Sequence, residues 1–593
     1  MGKLLLKLIF ALAICSITGK AAADEWWEQG HFYQIYPRSF KDSNDDGVGD
    51  LSGISSKLPF LKSIGVTGVW LSPIFKSPMK DFGYDIEDFT QIDPIFGTME
   101  DFEKLLAHAN ELDIKILLDF VPNHSSDKHK WFKASADPNN PDHNKYKDYY
   151  VWNEGKLLEN GTRVPPSNWI SIFRGSAWTW VESRKAYYLH QFLAEQPDLN
   201  YRNEALVNEM KEILRYWLRK GVSGYRCDAV PFLFEVKENA DGLFDDEDLS
   251  GECENDPEAS CYLNHTKTQD LDETFDMIYQ WRRVVDEPEF SNFPRMLMTE
   301  AYTSFENNLR YYGRVDESGK IVEYGSHVPF NFDLISRTNR DTKADVYKEK
   351  IEAWLNGMPK AEKIHANWLL GNHDNKRTAS RYNPSRTDLI NILLKTLPGL
   401  TVTYYGEEIG MTDVFISWED TQDPQACRTD PQVFDQYSRD PARTPMQWDG
   451  SKNAGFSEAA STWLPVAKNF TDCNVKLQES LEKSHLSVMR KLMKLRQHPT
   501  FKYGGLQISA VDDDVLVYKR EQEQSNDDIF IVALNLGKTD KVIDLNINLD
   551  GVPSQLSVLV ASIQSSRPTE GDVISSKEVV LPPEVGVVLF GRN

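Results

Sequence analysis

The amino-acid sequence predicts an α/β protein: a (β/α)8 (TIM) barrel with a small domain inserted after the third strand and an all-β domain at the C-terminal end. Three observations carry this expectation. Eight short, nearly continuous apolar runs recur along the chain, several followed by helical periodicity. That alternation indicates a parallel sheet covered on both faces. Residues 124–197 interrupt it, and after residue 498 only short strand patterns remain.

The runs are Phe32–Pro37, Gly65–Pro73, Lys115–Asn123, Gly224–Val230, Met296–Tyr302, Val328–Leu334, Asn367–Asp374 and Leu400–Glu408. Eight units suit a closed barrel; a doubly wound sheet is the alternative on pattern alone. Between the second and third runs, Thr98 and Asp101 form a capping signal. Phe102, Leu105, Leu106 and Ala109 then follow at helical spacing. Asn203–Lys220 reads as the helix before the fourth run, and Leu477–Gln497 as a late helix. The interruption at 124–197 is rich in Asn, Asp, Pro, Trp and Tyr and is too long for a loop. Val515–Tyr518, Ile529–Leu534, Val542–Ile547, Leu556–Ala561 and Val579–Leu581 read as strands of the last domain. The expected organisation is a leader at 1–23, a barrel at 24–123 and 198–498, an insert at 124–197 and a β-sandwich domain at 499–593.

Lys3, the apolar stretch Leu4–Ile17 and the small residues Ala21-Ala22-Ala23 read as a secretory signal peptide. A membrane anchor is the alternative, but the stretch is short of the roughly 20 apolar residues that span a bilayer. The expectation is a secreted, extracellular protein. A net charge of −24 over 593 residues argues against nucleic acid, which needs a basic face. Six cysteines fit export. Cys15 lies in the leader, and Cys227 sits in a buried-looking strand as a core thiol. Proximity favours a Cys253–Cys261 disulfide and leaves Cys427 to Cys473. Asn160, Asn264 and Asn469 open glycosylation sequons. Asn123 does too, but it falls among the chemistry-bearing residues and is expected to stay unmodified.

Acid and base groups gather at the C-terminal ends of the predicted strands: Asp119 and His124, Arg226 and Asp228, Glu300 and Tyr302, His373 and Asp374. In a barrel these ends converge on one face, where such enzymes place their sites. A single pair such as Arg226 and Asp228 could be a structural ion pair. Four strand ends in sequence order are harder to explain that way. A second motif is Asp42-Ser-Asn44-Asp-Asp46-Gly47-Val48-Gly-Asp50. Its alternating oxygen donors with Gly at the sixth position resemble an EF-hand-type Ca²⁺ loop, without the Glu at position twelve or the flanking helices.

These motifs resemble the conserved regions of glycoside hydrolase family 13, the α-amylase superfamily, over essentially the whole mature chain. Asp119–His124 is similar to the first region, Gly224–Val230 to the second, Glu300 to the third and His373-Asp374 to the fourth. Gln196-Pro-Asp-Leu-Asn200 and Thr444-Pro-Met-Gln-Trp448 resemble the oligo-1,6-glucosidase and α-glucosidase subfamily, with wording most similar to insect maltases. The resemblance implies a retaining, exo-acting α-glucosidase that frees terminal glucose from maltose, sucrose and short oligosaccharides. It implies Asp228 as nucleophile, Glu300 as general acid/base and Asp374 as the group that grips ring hydroxyls. Arg226 would hold Asp228 ionised at a low pKa, while Glu300 would need a raised one. His124 and His373 would bond the sugar, Tyr84 would stack on it, and Asp81 with Arg443 would close the far end of the pocket. The subfamily also implies structural calcium on Asp42, Asn44, Asp46, the Val48 carbonyl and Asp50. Ala229-Val230 looks like an α-1,4 preference. The alternatives are an α-1,6-glucosidase, a transglycosylase or sucrose isomerase, and a non-catalytic binding protein like the heavy chains of amino-acid transporters. Oligomeric state is not legible.

Overall fold

The computed structural model describes residues 25–361, 363–522 and 528–592; the expected leader, with Cys15, lies outside them. All eight apolar runs form strands of one parallel sheet. They are β1 (His31–Ile35), β2 (Gly68–Leu71), β3 (Lys115–Phe120), β4 (Gly224–Cys227), β5 (Met296–Thr299), β6 (Val328–Pro329), β7 (Asn367–Trp368) and β8 (Leu400–Tyr404). Each is shorter than its apolar run, which continues into the loop that follows.

Hydrogen-bonded neighbours run β6-β5-β4-β3-β2-β1-β8-β7. The order follows the sequence and wraps round without the reversal of a doubly wound sheet, so the architecture is the barrel. No ladder joins β6 to β7 among the described residues. Pro329 in β6 has no N–H to donate, so a regular ladder cannot run through it. A side chain bridges the seam instead. Asn367 Nδ2 donates to the Pro329 carbonyl at 2.6 Å, and Asn367 Oδ1 accepts from the Asn331 amide at 2.8 Å.

Strand alternation sorts the core. Phe32, Trp70, Leu117, Met296, Met298, Leu400 and Val402 share the barrel interior. Their neighbours Tyr33, Leu71, Ile116, Leu118 and Leu297 pack outward under the helices. A period of two produces this division, and in β3 it places Asp119 on the same inward face as Leu117.

The helices follow their sequence signals. In α1 (Met99–Glu111), Thr98 and Asp101 form a reciprocal capping box. In α2 (Glu204–Lys220), the Asn203 side chain caps the start and Gly221, at φ 104°, ends it. All ten residues of α3 (Thr387–Thr396) are buried, because it lies between the barrel and the C-terminal sheet. The expected helix Leu477–Gln497 is two helices, α4 (Val475–Ser480) and α5 (His485–Leu495). Ser484 breaks it by accepting from the Ser487 amide and starting a new cap.

Within 124–197 a three-stranded antiparallel sheet forms from Trp152–Asn153, Trp178–Val181 and Ala186–Leu189. The C-terminal residues form a six-stranded antiparallel sheet and a separate two-stranded one. Leu516, Tyr518, Val532 and Leu534 face the barrel side; Val515, Val517, Ile531 and Ala533 face a core of their own. The expected strand Val542–Ile547 stops at Ile543, where Asp544 caps a short helix, Leu545–Asn548.

Cys253 and Cys261 are bonded. The expected Cys427–Cys473 pair is not formed: both are free thiols, and Cys227 is a buried free thiol. Cys427 Sγ donates to the Thr421 carbonyl, whereas Cys473 Sγ donates to the Ile409 carbonyl. The two thiols sit in separate loop environments, so the pairing left over by elimination is not realised. Among the described residues no helix is long and apolar enough to cross a membrane.

The seam makes a prediction. Asn367→Ala removes two buried hydrogen bonds and strands the Asn331 amide, so denaturant unfolding should show a loss of about 2–4 kcal/mol. An unchanged midpoint and slope would mean that the seam does not depend on this side chain.

Candidate active site

The C-terminal strand ends open into a cavity of about 380 Å³. Asp228 follows β4 directly, Glu300 follows β5 directly, and Asp374 stands in the loop after β7. All three line the cavity, with Asp81, Tyr84, His124 and His373. Seven of the sequence-predicted site residues therefore line one cavity.

Arg226, on β4, is buried at the base. Its Nη1 donates to Asp119 Oδ1 and Oδ2 at 2.8 and 3.0 Å and to Asp228 Oδ1 at 2.5 Å. Its Nη2 lies 3.2 Å from Glu300 Oε2. One guanidinium thus touches three carboxylates. The indole of Trp70 lies 4.7 Å from the guanidinium carbon and donates to Asp119 Oδ2 at 3.1 Å. The residue after Asp228 is bent to suit. Ala229 takes φ 47°, a left-handed conformation that is strained for a residue with a Cβ. The bend lets the Ala229 amide donate to Glu300 Oε2 at 2.8 Å. Ala229 lines the cavity, whereas Val230 is wholly buried beside it.

Burial pushes Glu300 up to about 7, against the pull of Arg226, and the negative charges of Asp228 and Asp374 add to the rise. Burial also pushes Asp228 up to about 7, with Arg226 opposing. The expectation of a low Asp228 pKa is therefore not met: loss of hydration outweighs one shared cation. Of the two, Asp228 has the shorter contact to Arg226, so it ionises the more readily of the pair. Burial acts to raise Asp374 as well, but His373 when protonated, and Arg439, Arg443 and Arg226 throughout, overcome it and hold that carboxylate well below the usual range.

The histidines are neutral. Burial drives His124 down to about 4 and His373 well below its usual value. Gln34 Nε2 meets His373 Nδ1 at 2.9 Å, which makes Nδ1 the acceptor and leaves the proton on Nε2. That Nε2 is 2.6 Å from the Tyr84 hydroxyl, which also bonds Asp119 Oδ2 at 3.1 Å. The Tyr84 ring stacks on His373 at 5.3 Å. His124 Nε2 lies 3.0 Å from the Tyr84 carbonyl and 3.0 Å from Gln196 Nε2.

The far end differs from expectation. Arg443 is wholly buried behind the wall, where its Nε donates to the His373 carbonyl at 2.8 Å and its Nη2 to Asp374 Oδ1 at 3.0 Å. Arg439, four residues earlier, takes the place beside Asp81. Its Nη2 donates to Asp81 Oδ1 at 3.0 Å and to Asp423 Oδ1 at 2.6 Å, and its Nη1 to Asp374 Oδ1 at 3.3 Å. The sequence pointed to Asp119 without giving it a role, and did not single out Phe173, Phe192, Phe232 or Gln269. Asp119 was in plain view at a strand end; the others sit in irregular segments that carry no periodic signal.

The loop at residues 42–50 is folded on itself. Asp42 accepts from the Asn44, Asp45 and Gly47 amides and from Ser457 Oγ. Asp50 accepts from Ser43 and from the Gly53 amide. Asn44 and Asp46 accept one amide each. A carboxylate offers about four lone-pair sites, so Asp42 is fully used while Asn44, Asp46 and Asp50 keep capacity. Among the described residues no three His, Cys, Asp or Glu stand close enough to hold a metal as they are. Asn160, Asn264 and Asn469 are exposed, and Asn123 is buried with its amide on Asp198 Oδ1 at 3.2 Å.

Residues 34–504 match the α-amylase catalytic domain. Maltase A1 of Drosophila melanogaster is 54% identical over 98% of this chain and 98% of its own length. A salivary alpha-glucosidase of Anopheles gambiae is 49% identical over 97% and 95%. The human amino acid transporter heavy chain SLC3A1 is 37% identical over 100% of this chain and 81% of its own length. Among solved structures, the alpha-glucosyl transfer enzyme XgtA superposes with a TM-score of 0.81 at 30% identity, covering 96% of this chain and all of that one. The chain belongs to the α-amylase family, glycoside hydrolase family 13.

The raised Glu300 has a measurable consequence. Above its usual 4.5 the unfolded chain gives up this proton, while the folded protein keeps it until about 7. The folded state then binds more protons, so this group lowers stability as pH rises through that window. Glu300→Gln should be more stable than the parent by roughly 1–3 kcal/mol near neutrality, with the gap closing towards about pH 4. Thermal melts at both pH values check it; a variant less stable at neutral pH would contradict the raised pKa.

Proposed function

We propose that this protein is an exo-acting, retaining α-glucosidase that removes terminal glucose from maltose, sucrose and short oligosaccharides. The observation that carries the reading is Arg226, which touches Asp228 and Glu300 with adjacent nitrogens and so brings the two carboxyls together across the pocket. Retaining enzymes hold this pair about 5–5.5 Å apart, inverting ones farther to admit a water. In this reading Asp228 attacks the anomeric carbon and Glu300 protonates the leaving oxygen, then takes a proton from water in the second step. Glu300 suits the acid role because burial keeps it protonated near neutrality. Asp374, held ionised, accepts hydrogen bonds from the ring hydroxyls.

The cluster of Asp81, Arg439 and Asp423 supports a closed far end, hence action on chain ends. The names of the insect relatives, maltase and alpha-glucosidase, support the substrate class. Ala229 at the pocket wall supports the α-1,4 preference over α-1,6. Against the non-catalytic reading stand three retained carboxylates around one cavity. Export as a secreted glycoprotein is part of the proposal. It is supported by the leader composition, the exposed sequons and the salivary relative.

The test is a product assay on maltose, isomaltose, sucrose and soluble starch. Asp228→Asn should lower maltose hydrolysis about 10⁴-fold, roughly 5.5 kcal/mol in the barrier, without loss of fold. Near-parental turnover in that variant would remove Asp228 from the mechanism.

Calcium on the 42–50 loop is proposed with Asn44, Asp46, the Val48 carbonyl and Asp50 as donors, Asp42 joining only if it releases Ser457. An ion there would stabilise the loop and take no part in catalysis. Millimolar-range calcium should raise the melting temperature and a chelator lower it, with turnover at low temperature unchanged. A melt indifferent to both would leave the loop as a self-satisfied turn.

A further inference from the structure

The hydroxyl-binding end of the cavity is polar. Another part of its lining is apolar, with Ile172, Phe173, Phe192 and Phe232. An apolar surface of this kind suits the face of a second sugar ring. Ile172 and Phe173 belong to a tight turn at 171–176. The Ser171 amide donates to the Gly175 carbonyl at 2.8 Å, and Ile170 pairs with Ser176 across the turn.

Arg174 stands at the tip with φ 73°, a left-handed conformation, and is not among the residues that line the cavity. Its two terminal nitrogens donate in parallel to the two oxygens of Asp256, at 2.6 and 2.8 Å. The next amide, of Gly175, donates to the Glu258 carbonyl at 2.9 Å. Asp256 and Glu258 both lie inside the ring closed by the Cys253–Cys261 disulfide. That ring is braced internally, by Asp256 N–H to the Cys253 carbonyl and Ala259 N–H to the Asp256 carbonyl. On the cavity side, Phe173 lies 5.0 Å from the guanidinium carbon of Arg439, the cation that meets Asp81 and Asp374. A line of contacts therefore runs from an outer disulfide ring, through Arg174, to the pocket wall.

We propose that Arg174 is a positioning residue that holds the Ile172–Phe173 wall at the spacing of a second sugar ring. It thereby sets how tightly the leaving sugar, and an incoming acceptor sugar, are bound. The inference rests on the α-glucosidase reading. A bidentate arginine–carboxylate pair fixes orientation as well as distance. A disulfide ring with a braced backbone gives it a rigid anchor. A wall displaced by an ångström changes binding of the second ring while the carboxylates at the base keep their geometry.

The experiment compares Arg174→Ala, Arg174→Glu, Asp256→Arg and the charge-swapped pair with the parent. Steady-state maltose kinetics, the transfer fraction at high maltose, thermal melts and amide exchange across 171–176 are measured for each. The single variants should raise KM for maltose about fivefold or more with kcat within about twofold, and lower the transfer fraction. Their amides at 171–176 should exchange faster, with the global melt unchanged. The swapped pair should bring KM back to within about twofold of the parent. Parental KM, transfer fraction and exchange in Arg174→Ala would overturn the proposal. So would a loss confined to kcat and melting temperature that the swap does not repair. A parent protein inactive on maltose would instead overturn the α-glucosidase reading and with it the sugar half of this one. The exchange measurements would still decide the clamp.

Discussion

One buried cation organises the base of the site. Arg226 contacts Asp119, Asp228 and Glu300, with Trp70 against its face. A guanidinium keeps its charge in any protein environment, so the site carries one fixed positive charge among three carboxyl groups. All three cannot ionise freely in a dry interior, which is why burial raises each of them. The shortest bonds go to Asp228 and Asp119. Glu300, with the longer contact, is left as the natural home of the remaining proton. The cation thus favours ionisation of Asp228, at 2.5 Å, over Glu300, at 3.2 Å, the division of labour on which the proposed mechanism rests.

The barrel supplies this precision. Arg226 and Asp119 are strand residues paired in register across β4 and β3, so their meeting is fixed by the ladder. Asp228 and Glu300 are each one residue past a strand, close enough to inherit that rigidity. The far end of the pocket is built differently. Asp81, Arg439 and Asp423 come from long connections, and Arg439 lies 358 residues from Asp81. The Ile172–Phe173 wall also lies outside the sheet, on a turn tied through Arg174 to the ring at Cys253–Cys261.

The parts legible in the sequence were those with a local signal. Apolar runs marked every barrel strand, and caps at Thr98 and Asn203 marked helix starts. Strand-end motifs located the three carboxylates, because a residue just past a parallel strand has only one place to go. Arg439 carried no such mark: it sits in irregular chain four residues from an arginine that fitted the expectation equally well. The Asp228 pKa was misjudged because a pair contact is visible in sequence and a dielectric is not. Cys253 and Cys261 were legible since eight residues hold them within reach. Cys427 and Cys473 were joined by elimination, and elimination has no geometry behind it.

The seam between β6 and β7 bears on how the chain is made. Strands β1 to β6 pair in sequence order, so a chain extended only through residue 329 is an open sheet with unpaired edges at β1 and β6. Such edges invite association with other chains. Both are covered at the end of barrel synthesis. β8 brings Thr401 beside His31, and Asn367 just before it reaches back to Pro329 and Asn331. A contact joining residue 31 to residue 401 is slow to form, because the loop it closes is so long. The newly made polypeptide therefore passes through a long interval as a curved sheet that has not met itself, and its safe passage depends on whatever shields the β1 edge until the last two strands emerge.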